Sequence, residues 1–368
     1  MSNISLRRCF RSMALPAGLL WALVAIKGQT AVKLEQEPAC QTLQAASAGG
    51  PLPKSPDVLV LRYFSYGNYE VAYRGRVLLL DAFYDGSRSP LAVPVGLKES
   101  DITRADAILV GHTHLDHFAD APAIAKRTGA PVFLAPPGLG YVRSHGLPES
   151  QIHVVRGGET IKQDGYSIQT ALGIHMVTPP EFSKAYNDFI KQSSPLTAEQ
   201  QKQFTDWLTP IAQAATVKED PQDPDNDTIY HGTIVYVLTF DSGFRLVYSD
   251  TAGVLSGGER VLADSIHAAG GKIDLAILGY LDGGFSVPRA IRNTLTRVKV
   301  WQPGILLPSH FHDGDLQYPV PMPEMPTAPL FEALRDQAPK TRGISPLFRS
   351  PVCVNTKTGE FFTGDYVR

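Results

Sequence analysis

The sequence predicts an α/β domain built as a layered sandwich rather than as a doubly wound sheet. Groups of β-rich runs follow one another closely along the chain, at residues 58–61, 69–73, 76–81, 234–240 and 244–248. Arg74-Gly75 and Ser242-Gly243 separate neighbouring runs within these groups and are typical of hairpin turns. Helical patterns lie between the groups of strands. This order favours sheets packed face to face with helices outside them.

Shorter patterns predict the other elements in chain order. Residues 106–110 are apolar and end at Gly111, which indicates a buried strand that enters a loop. Helices are predicted at 122–127 and 258–268, and strands at 132–134, 167–173, 273–278 and 305–307. Between residues 179 and 228 the apolar spacing becomes helical, with apolar faces that include Phe182, Phe204 and Trp207. Thr197 to Gln200 form a capping box, so this segment is predicted to be a helical insertion.

The first 30 residues predict an export signal that is not part of the fold. Arg7, Arg8 and Arg11 precede an uncharged, mostly apolar stretch from Met13 to Ile26. This stretch is shorter than the ~20 residues that a spanning helix needs. The adjacent arginines favour the twin-arginine route, and a general secretory signal is the alternative. We therefore predict a periplasmic or secreted protein, in which the small, Gly- and Pro-rich residues 31–56 form a linker to a domain at 57–368.

The charge balance argues against a nucleic-acid partner. The chain has 34 Lys+Arg and 36 Asp+Glu, a net charge of −2. Cleavage near residue 30 would remove four basic residues and no acidic one, leaving 30 against 36 and a net charge of −6. Nucleic-acid binding needs clustered Lys and Arg instead. Cys40 and Cys353 remain after cleavage, either as a disulfide in an oxidising compartment or as two unrelated thiols.

Four candidate metal ligands lie within six residues directly after the strand at 106–110. They are His112, His114, Asp116 and His117. Three imidazoles beside a carboxylate form a costly cluster unless a cation holds them. Imidazole and carboxylate are ligands of zinc, and also of iron and manganese. Since alternating residues of an extended chain share a side, His112 and His114 are expected to serve one centre, and a turn at Leu115 lets Asp116 and His117 serve a second.

This His-x-His-x-Asp-His run resembles the signature of the metallo-β-lactamase-fold hydrolases. The resemblance extends over residues 57–320 and implies a four-layer αββα sandwich with three later ligands at strand ends. His175, Asp250 and His310 stand at those places. From the residues alone, His175 could instead be a core histidine and Asp250 a strand-end cap. The resemblance implies one metal at His112, His114 and His175, a second at Asp116, His117 and His310, and Asp250 bridging both.

The chemistry that the resemblance implies is metal-assisted hydrolysis. Two divalent cations, most simply zinc with manganese or iron as alternatives, lower the pKa of a shared water and position it for attack. Asp116 and Asp250 are then catalytic as well as metal-binding residues. His310 is preferred to His312 as the last ligand because it comes first after its strand. His312 would face the substrate or orient a ligand, and Asp81 resembles a position that supports the metal-binding loop.

Residues that differ between branches of the family narrow the range of activities that the resemblance implies. The carboxylate at Asp250 speaks against a true β-lactamase, since those enzymes lack this bridging Asp. Oxygen-reducing di-iron relatives carry an acidic residue at the position of His114, and this difference speaks against a redox role. The chain looks most similar to the ascorbate-6-phosphate lactonase and N-acyl-phosphatidylethanolamine phospholipase branch. The resemblance therefore implies a hydrolase of a small ester, lactone or phosphodiester.

Two alternatives stay open at the level of sequence. One is a phospholipase-type hydrolase at the membrane surface, although the predicted insertion carries only Lys202 on the polar face of its second helix. The other is a non-catalytic protein that holds metal on the same fold. A small-molecule substrate is expected in either enzymatic case, and the sequence does not indicate an oligomeric state.

Overall fold

The computed structural model describes residues 33–92, 94–176, 197–203, 205–206, 232–281, 286–311 and 325–364. The predicted export signal, most of the predicted insertion and His312 lie outside these ranges. None of the helices in the described ranges has the length and apolar character that crossing a membrane requires.

The described residues form fifteen strands in two sheets. The strands are β1 Val58–Tyr63, β2 Tyr69–Tyr73, β3 Arg76–Leu80, β4 Ala107–Leu109, β5 Val132–Leu134, β6 Ile152–Val154, β7 Thr160–Gln163, β8 Tyr166–Leu172, β9 Ile234–Phe240, β10 Arg245–Ser249, β11 Leu275–Gly279, β12 Ile305–Ser309, β13 Arg342–Gly343, β14 Pro351–Asn355 and β15 Phe361–Thr363. The first sheet has the order β15-β14-β1-β2-β3-β4-β5-β6, and the second has the order β13-β12-β11-β10-β9-β8-β7. Strands β3 to β6 run parallel, as do β10 to β13.

Helices cover the outer faces of both sheets. They are α1 Leu115–Phe118, α2 Ala121–Thr128, α3 Leu139–Ser144, α4 Gly257–Ala268, α5 Val287–Trp301 and α6 Thr327–Gln337. Residues 198–203 and 205–206 are helical as well. The capping box predicted there is present, because the Thr197 N–H donates to Gln200 Oε1 at 2.9 Å and the Gln200 N–H donates to Thr197 Oγ1 at 3.2 Å.

Strand β1 shows how the layers arise from an alternating pattern. Leu59 and Leu61 point into the core between the two sheets, whereas Val58 and Val60 point into a second core on the outer face of the first sheet. Phe118, Ile124 and Val142 from α1, α2 and α3 belong to that second core. Ala263, Leu295 and Leu330 from α4, α5 and α6 join the first core, and α4 and α5 pack on strands of the second sheet. The predicted four-layer α/β sandwich is therefore confirmed.

The C-terminal part of the chain adds strands and two helices that the sequence does not predict. Strand β14 pairs antiparallel with β1, with Val60 opposite Cys353. The two helices are α5 and α6, which pack against the first core. The first sheet therefore contains both the first and the last strands of the described chain, with β14 between them, and only long-range contacts can establish this arrangement.

Residues 33–56 pack against the first sheet, so the predicted linker is corrected to a packed segment. Cys40 is bonded to Cys353, 313 residues away, and both cysteines are buried. Glu70 on β2 accepts the N–H groups of Ala46 at 3.0 Å and Ser47 at 2.7 Å. Arg62 on β1 pairs with the same carboxylate at 3.0 Å. Small residues, which in sequence indicate flexibility, here allow close packing on the sheet.

Candidate metal centre

The loop after β4 carries four of the predicted ligands. Strand β4 ends at Leu109, residues 111–114 form bends, and α1 begins at Leu115, directly after His114. Gly111 has no room for a side chain, because a Cβ there would overlap the Asp250 carboxylate. The loop brings the four side chains together rather than into two separate pairs. The ring centroids of His112 and His117 are 3.9 Å apart, and His112, Asp116 and His117 offer ligand atoms within 4.8 Å of one another.

Three imidazoles form the first group of the site. His112, His114 and His175 each offer a ring nitrogen, and these three atoms lie within 4.8 Å of one another. The ring centroids are 4.6 Å apart for every pair. His175 follows β8, and its Nδ1 is 2.7 Å from the Met176 carbonyl oxygen. This contact orients the ring.

A carboxylate and two imidazoles form the second group. The Nε2 atoms of His117 and His310 lie 3.5 Å and 3.6 Å from Asp116 Oδ2. The two imidazole rings stack with centroids 5.0 Å apart. His310 comes directly after β12 and has a φ of 46°, and its N–H donates to the Tyr66 carbonyl oxygen at 2.7 Å. The structure thus brings His310 to Asp116 and His117 from the other sheet.

Asp250 lies between the two groups. It directly follows β10 and is fully buried. Its Oδ2 is 2.6 Å from His112 Nδ1 and 3.0 Å from His117 Nδ1. One carboxylate oxygen therefore contacts a histidine of each group. All seven predicted ligands are within one continuous cluster.

Asp81 supports this cluster from the first sheet, in the role that the sequence resemblance predicts. It directly follows β3 and is buried, with a φ of 61°. Its Oδ1 accepts the Gly111 N–H at 2.8 Å, and its Oδ2 is 2.5 Å from His117 Nδ1. Asp81, His117 and Asp250 also offer three ligand atoms within 4.8 Å of one another. Asp81 is thus close enough to hold the loop and to orient His117.

The protein environment shifts the pKa values of these groups in opposite directions. Burial and the charge of Asp250 raise the pKa of Asp81 to about 7. Burial alone would raise the pKa of Asp250 too, but His112 and His117 hold it well below its usual range. Burial alone would lower the pKa of His117, but Asp116, Asp81 and Asp250 raise it well above its usual range. The contacts with His112 and His117 therefore stabilise the ionised carboxylate of Asp250 in a buried place.

The imidazole and carboxylate groups of the cluster, and the buried atoms among them that lack hydrogen-bond partners, both fit a site for divalent metal ions. Among the described residues, His117 Nε2, Asp250 Oδ1 and His310 Nδ1 are buried without a hydrogen-bond partner. Such atoms cost free energy unless another group satisfies them. Imidazole nitrogens and carboxylate oxygens are ligands of zinc, iron and manganese. The residues present therefore fit metal ions of this class.

Comparison with known proteins identifies the family. The family model described as "Beta-lactamase superfamily domain" matches residues 76–279, which is more than half of the chain. The chain belongs to this superfamily. The matched range begins at β3 and ends at β11, so it contains every member of the cluster except His310.

Individual relatives cover the chain in part. A UPF0173 metal-dependent hydrolase of Thermoplasma volcanium is 34% identical over 100 residues, 27% of this chain and 40% of that protein. Igni18, a metallo hydrolase of Ignicoccus hospitalis, has a TM-score of 0.50 at 15% identity and covers 84% of this chain and 100% of its own. CmlA, a diiron β-hydroxylase of Streptomyces venezuelae, has a TM-score of 0.51 at 14% identity and covers 82% of this chain and 55% of its own. Likeness at these identities shows the superfamily fold alone.

In this superfamily member, Tyr66 and Gly67 lie against the cluster, although no pattern in the sequence indicates it. Both lie in the β1–β2 loop, where Tyr66 packs edge-on against His310 with ring centroids 5.3 Å apart. A Cβ at Gly67 would overlap Asp81 Oδ2 and lie 2.8 Å from Asp250 Cβ. Ser65 and Tyr66 have φ values of 91° and 50°, in the left-handed region. The sequence predicts the strands on either side of this loop but not its contact with the candidate ligands. His312, predicted near the substrate, lies outside the described residues.

Proposed function

We propose that this protein is a metal-dependent hydrolase that uses two divalent cations to cleave a small ester, lactone or phosphodiester. The observation that carries the proposal is the position of Asp250, whose carboxylate contacts a histidine of each group. A carboxylate between two sets of candidate ligands suits a site that holds two cations. The lactone and phosphodiester classes come from the sequence resemblance to the lactonase and phospholipase branch.

Each group of residues has a distinct task in this proposal. His112, His114 and His175 would hold one cation, and Asp116, His117 and His310 the other, with Asp250 between them. When bound, a pair of such cations polarises the bond to be cleaved and activates a water for attack, and zinc suits these donors. Asp81 holds the loop through Gly111 and orients His117. Tyr66 covers the His310 side of the centre.

A buried arginine beside Tyr66 favours a substrate that carries negative charge. Arg88 is 4% exposed, and its guanidinium carbon lies 5.3 Å from the ring centre of Tyr66 and 5.4 Å from that of Phe83. Its Nη2 donates to the Phe64 carbonyl oxygen at 3.0 Å, while its Nε and Nη1 have no hydrogen-bond partner among the described residues. A buried cation with unsatisfied donors favours an anionic group nearby. The Asp120 carboxylate is one such group, because the charge of Arg88 opposes the rise in its pKa, and a phosphodiester or a phosphorylated lactone would supply another.

We test the activity with metal analysis and a substrate panel on one preparation of the full-length protein. The panel contains a neutral lactone, a phosphorylated lactone, a phosphodiester and phospholipid vesicles. We expect two zinc ions per chain and turnover of at least one of the small substrates. His114→Ala should lower turnover by more than the ~10–100-fold that loss of an outer partner costs, because it removes a ligand itself.

His145→Ala is the matched control for that variant. His145 is exposed, and its Nδ1 is 2.8 Å from the Tyr141 carbonyl oxygen rather than in the cluster. It should keep both the metal content and the activity of the unaltered protein. Turnover of phospholipid vesicles alone would favour the membrane-surface alternative. Two bound metals with no turnover of any substrate would contradict the hydrolase proposal.

We also propose that the protein is exported, and the disulfide supports this. A bond between Cys40 and Cys353 persists in oxidising compartments and is rare in reducing ones. If the twin-arginine route is used, replacing both Arg7 and Arg8 by lysine should retain the protein in the cytoplasm with Cys40 and Cys353 reduced. Cell fractionation with alkylation and mass spectrometry measures both. Export of this variant would indicate the general secretory route, and an unaltered protein retained in the cytoplasm would contradict export.

A further inference from the structure

A buried ion pair lies behind the loop that carries Asp250. Arg297 on α5 is 1% exposed, and Glu259 on α4 is fully buried. The Arg297 Nε lies 3.1 Å from Glu259 Oε1, and Nη2 donates to Glu259 Oε2 at 3.2 Å. Glu259 Oε2 also accepts the Ser256 N–H at 3.1 Å, as part of the cap of α4. Two helices thus hold the guanidinium in one orientation.

The third arm of this guanidinium reaches the backbone beside Asp250. Arg297 Nη1 donates to the carbonyl oxygen of Thr251 at 2.6 Å, and Thr251 directly follows Asp250. The hydroxyl oxygen of Thr251 accepts the Met176 N–H at 3.1 Å, next to His175. A chain of short contacts therefore runs from the buried ion pair to the backbone beside Asp250 and His175.

The backbone at this place has little freedom to find other partners. A Cβ at Gly279 would overlap the Thr251 carbonyl carbon and lie 2.6 Å from the Asp250 carbonyl oxygen, so β11 packs closely on this loop. Asn293 on α5 donates to the Ala252 carbonyl oxygen at 3.2 Å. Residues 250–252 follow the end of β10 and lack strand pairing of their own. A charge-assisted hydrogen bond from a fixed guanidinium is the strongest contact on the Thr251 carbonyl.

We propose that Arg297 is a positioning residue for the metal centre. It fixes the Thr251 carbonyl, and through Thr251 it sets the distance between Asp250, which contacts both groups, and His175, which belongs to the first. Metal ligands that are held in place by outer partners bind more tightly than the same ligands on a mobile loop. The inference rests on the proposed two-cation site, but not on any substrate.

The test compares Arg297→Lys with Arg62→Lys, its matched control. Arg62 is also fully buried and paired with a glutamate, Glu70 at 3.0 Å, and its Nη2 donates to the Ala39 carbonyl oxygen at 2.7 Å. It holds the segment at 33–56 rather than a metal ligand. Lysine keeps the charge opposite each glutamate, but its single nitrogen cannot replace a planar guanidinium whose separate nitrogens reach the glutamate and a backbone carbonyl at the same time.

Zinc affinity is measured by competition with a chromophoric chelator, and the Tm is measured on protein stripped of metal. We expect both variants to lower the Tm. Only Arg297→Lys should weaken zinc binding, by about 10–100-fold, while Arg62→Lys stays within about twofold of the unaltered protein.

Thr251→Val is the second variant in case Arg297→Lys does not fold. It leaves the ion pair intact and removes the hydroxyl that accepts the Met176 N–H, and we expect weaker zinc binding with little change in Tm. Unchanged zinc affinity in folded Arg297→Lys, or in Thr251→Val when the first does not fold, would overturn the inference. Equal weakening by Arg62→Lys would also overturn it, because the effect would then be one of general stability. An unaltered protein that binds no zinc would overturn this inference and the two-cation proposal together.

Discussion

Asp250→Asn should bind zinc far more weakly than the unaltered protein and lose its hydrolytic activity. The substitution keeps the size of the side chain but removes the charge that lies 2.6 Å from His112 Nδ1 and 3.0 Å from His117 Nδ1. Both groups of ligands depend on this one carboxylate. The loss of affinity should therefore exceed the ~10–100-fold that changes in outer partners cause. Zinc content after dialysis and competition with a chelator measure it.

Asp120→Asn is the matched control for this substitution. Asp120 is also buried, but its Oδ2 accepts the Tyr84 N–H at 2.6 Å, and its other oxygen accepts the hydroxyl of Ser87. We expect this variant to lose some stability and to keep its zinc. If Asp250→Asn held two zinc ions as tightly as the unaltered protein, Asp250 would not be the ligand shared between them.

Gly67→Ala should disrupt the centre although it changes no polar group. A methyl group at this position would overlap Asp81 Oδ2 and lie 2.8 Å from Asp250 Cβ. The β1–β2 loop must then move, and Tyr66, whose carbonyl oxygen accepts the His310 N–H at 2.7 Å, moves with it. Overpacking of this kind costs about 1–3 kcal/mol of the free energy of unfolding. We expect that loss, together with zinc binding weakened by at least about tenfold.

Gly257→Ala separates this effect from the general cost of replacing glycine. Gly257 lies at the start of α4, and a Cβ there would meet nothing within 4 Å. Urea unfolding and zinc competition are measured on both variants, and the control should match the unaltered protein in both. Normal zinc affinity in Gly67→Ala would show that the loop can move without disturbing Asp81 and Asp250.

The sequence predicts the strands that carry the site better than it predicts the sheets that contain them. The ligand run at 112–117, His175, Asp250 and His310 all follow apolar runs that are strands in the structure. Local pattern suffices here, because a buried strand that ends in polar residues shows in the order of residues. Strand β14 also has an apolar pattern, but its place beside β1 depends on a contact across most of the chain.

The segment at 33–56 shows how composition can mislead. Small residues with Gly and Pro predict a linker, yet Ala39, Cys40 and Ala45 are fully buried against the first sheet. The polar groups of this segment find partners in Glu70 and Arg62, which are separated from it in sequence. Composition indicates how flexible a segment is in isolation, whereas its burial depends on the sheet against which it packs.

By itself, the sequence determines the ligand types, their order and the layered α/β class, because these follow from residue chemistry and local spacing. The tertiary structure decides which ligands meet. It brings His310 to Asp116 and places Asp250 between His112 and His117. The tertiary structure also determines which residues surround the ligands. Gly67 leaves room for Asp81, and Arg297 donates to the Thr251 carbonyl oxygen. The physical reason is that these contacts join residues far apart in the chain, and only packing of the two sheets and their helices sets such distances.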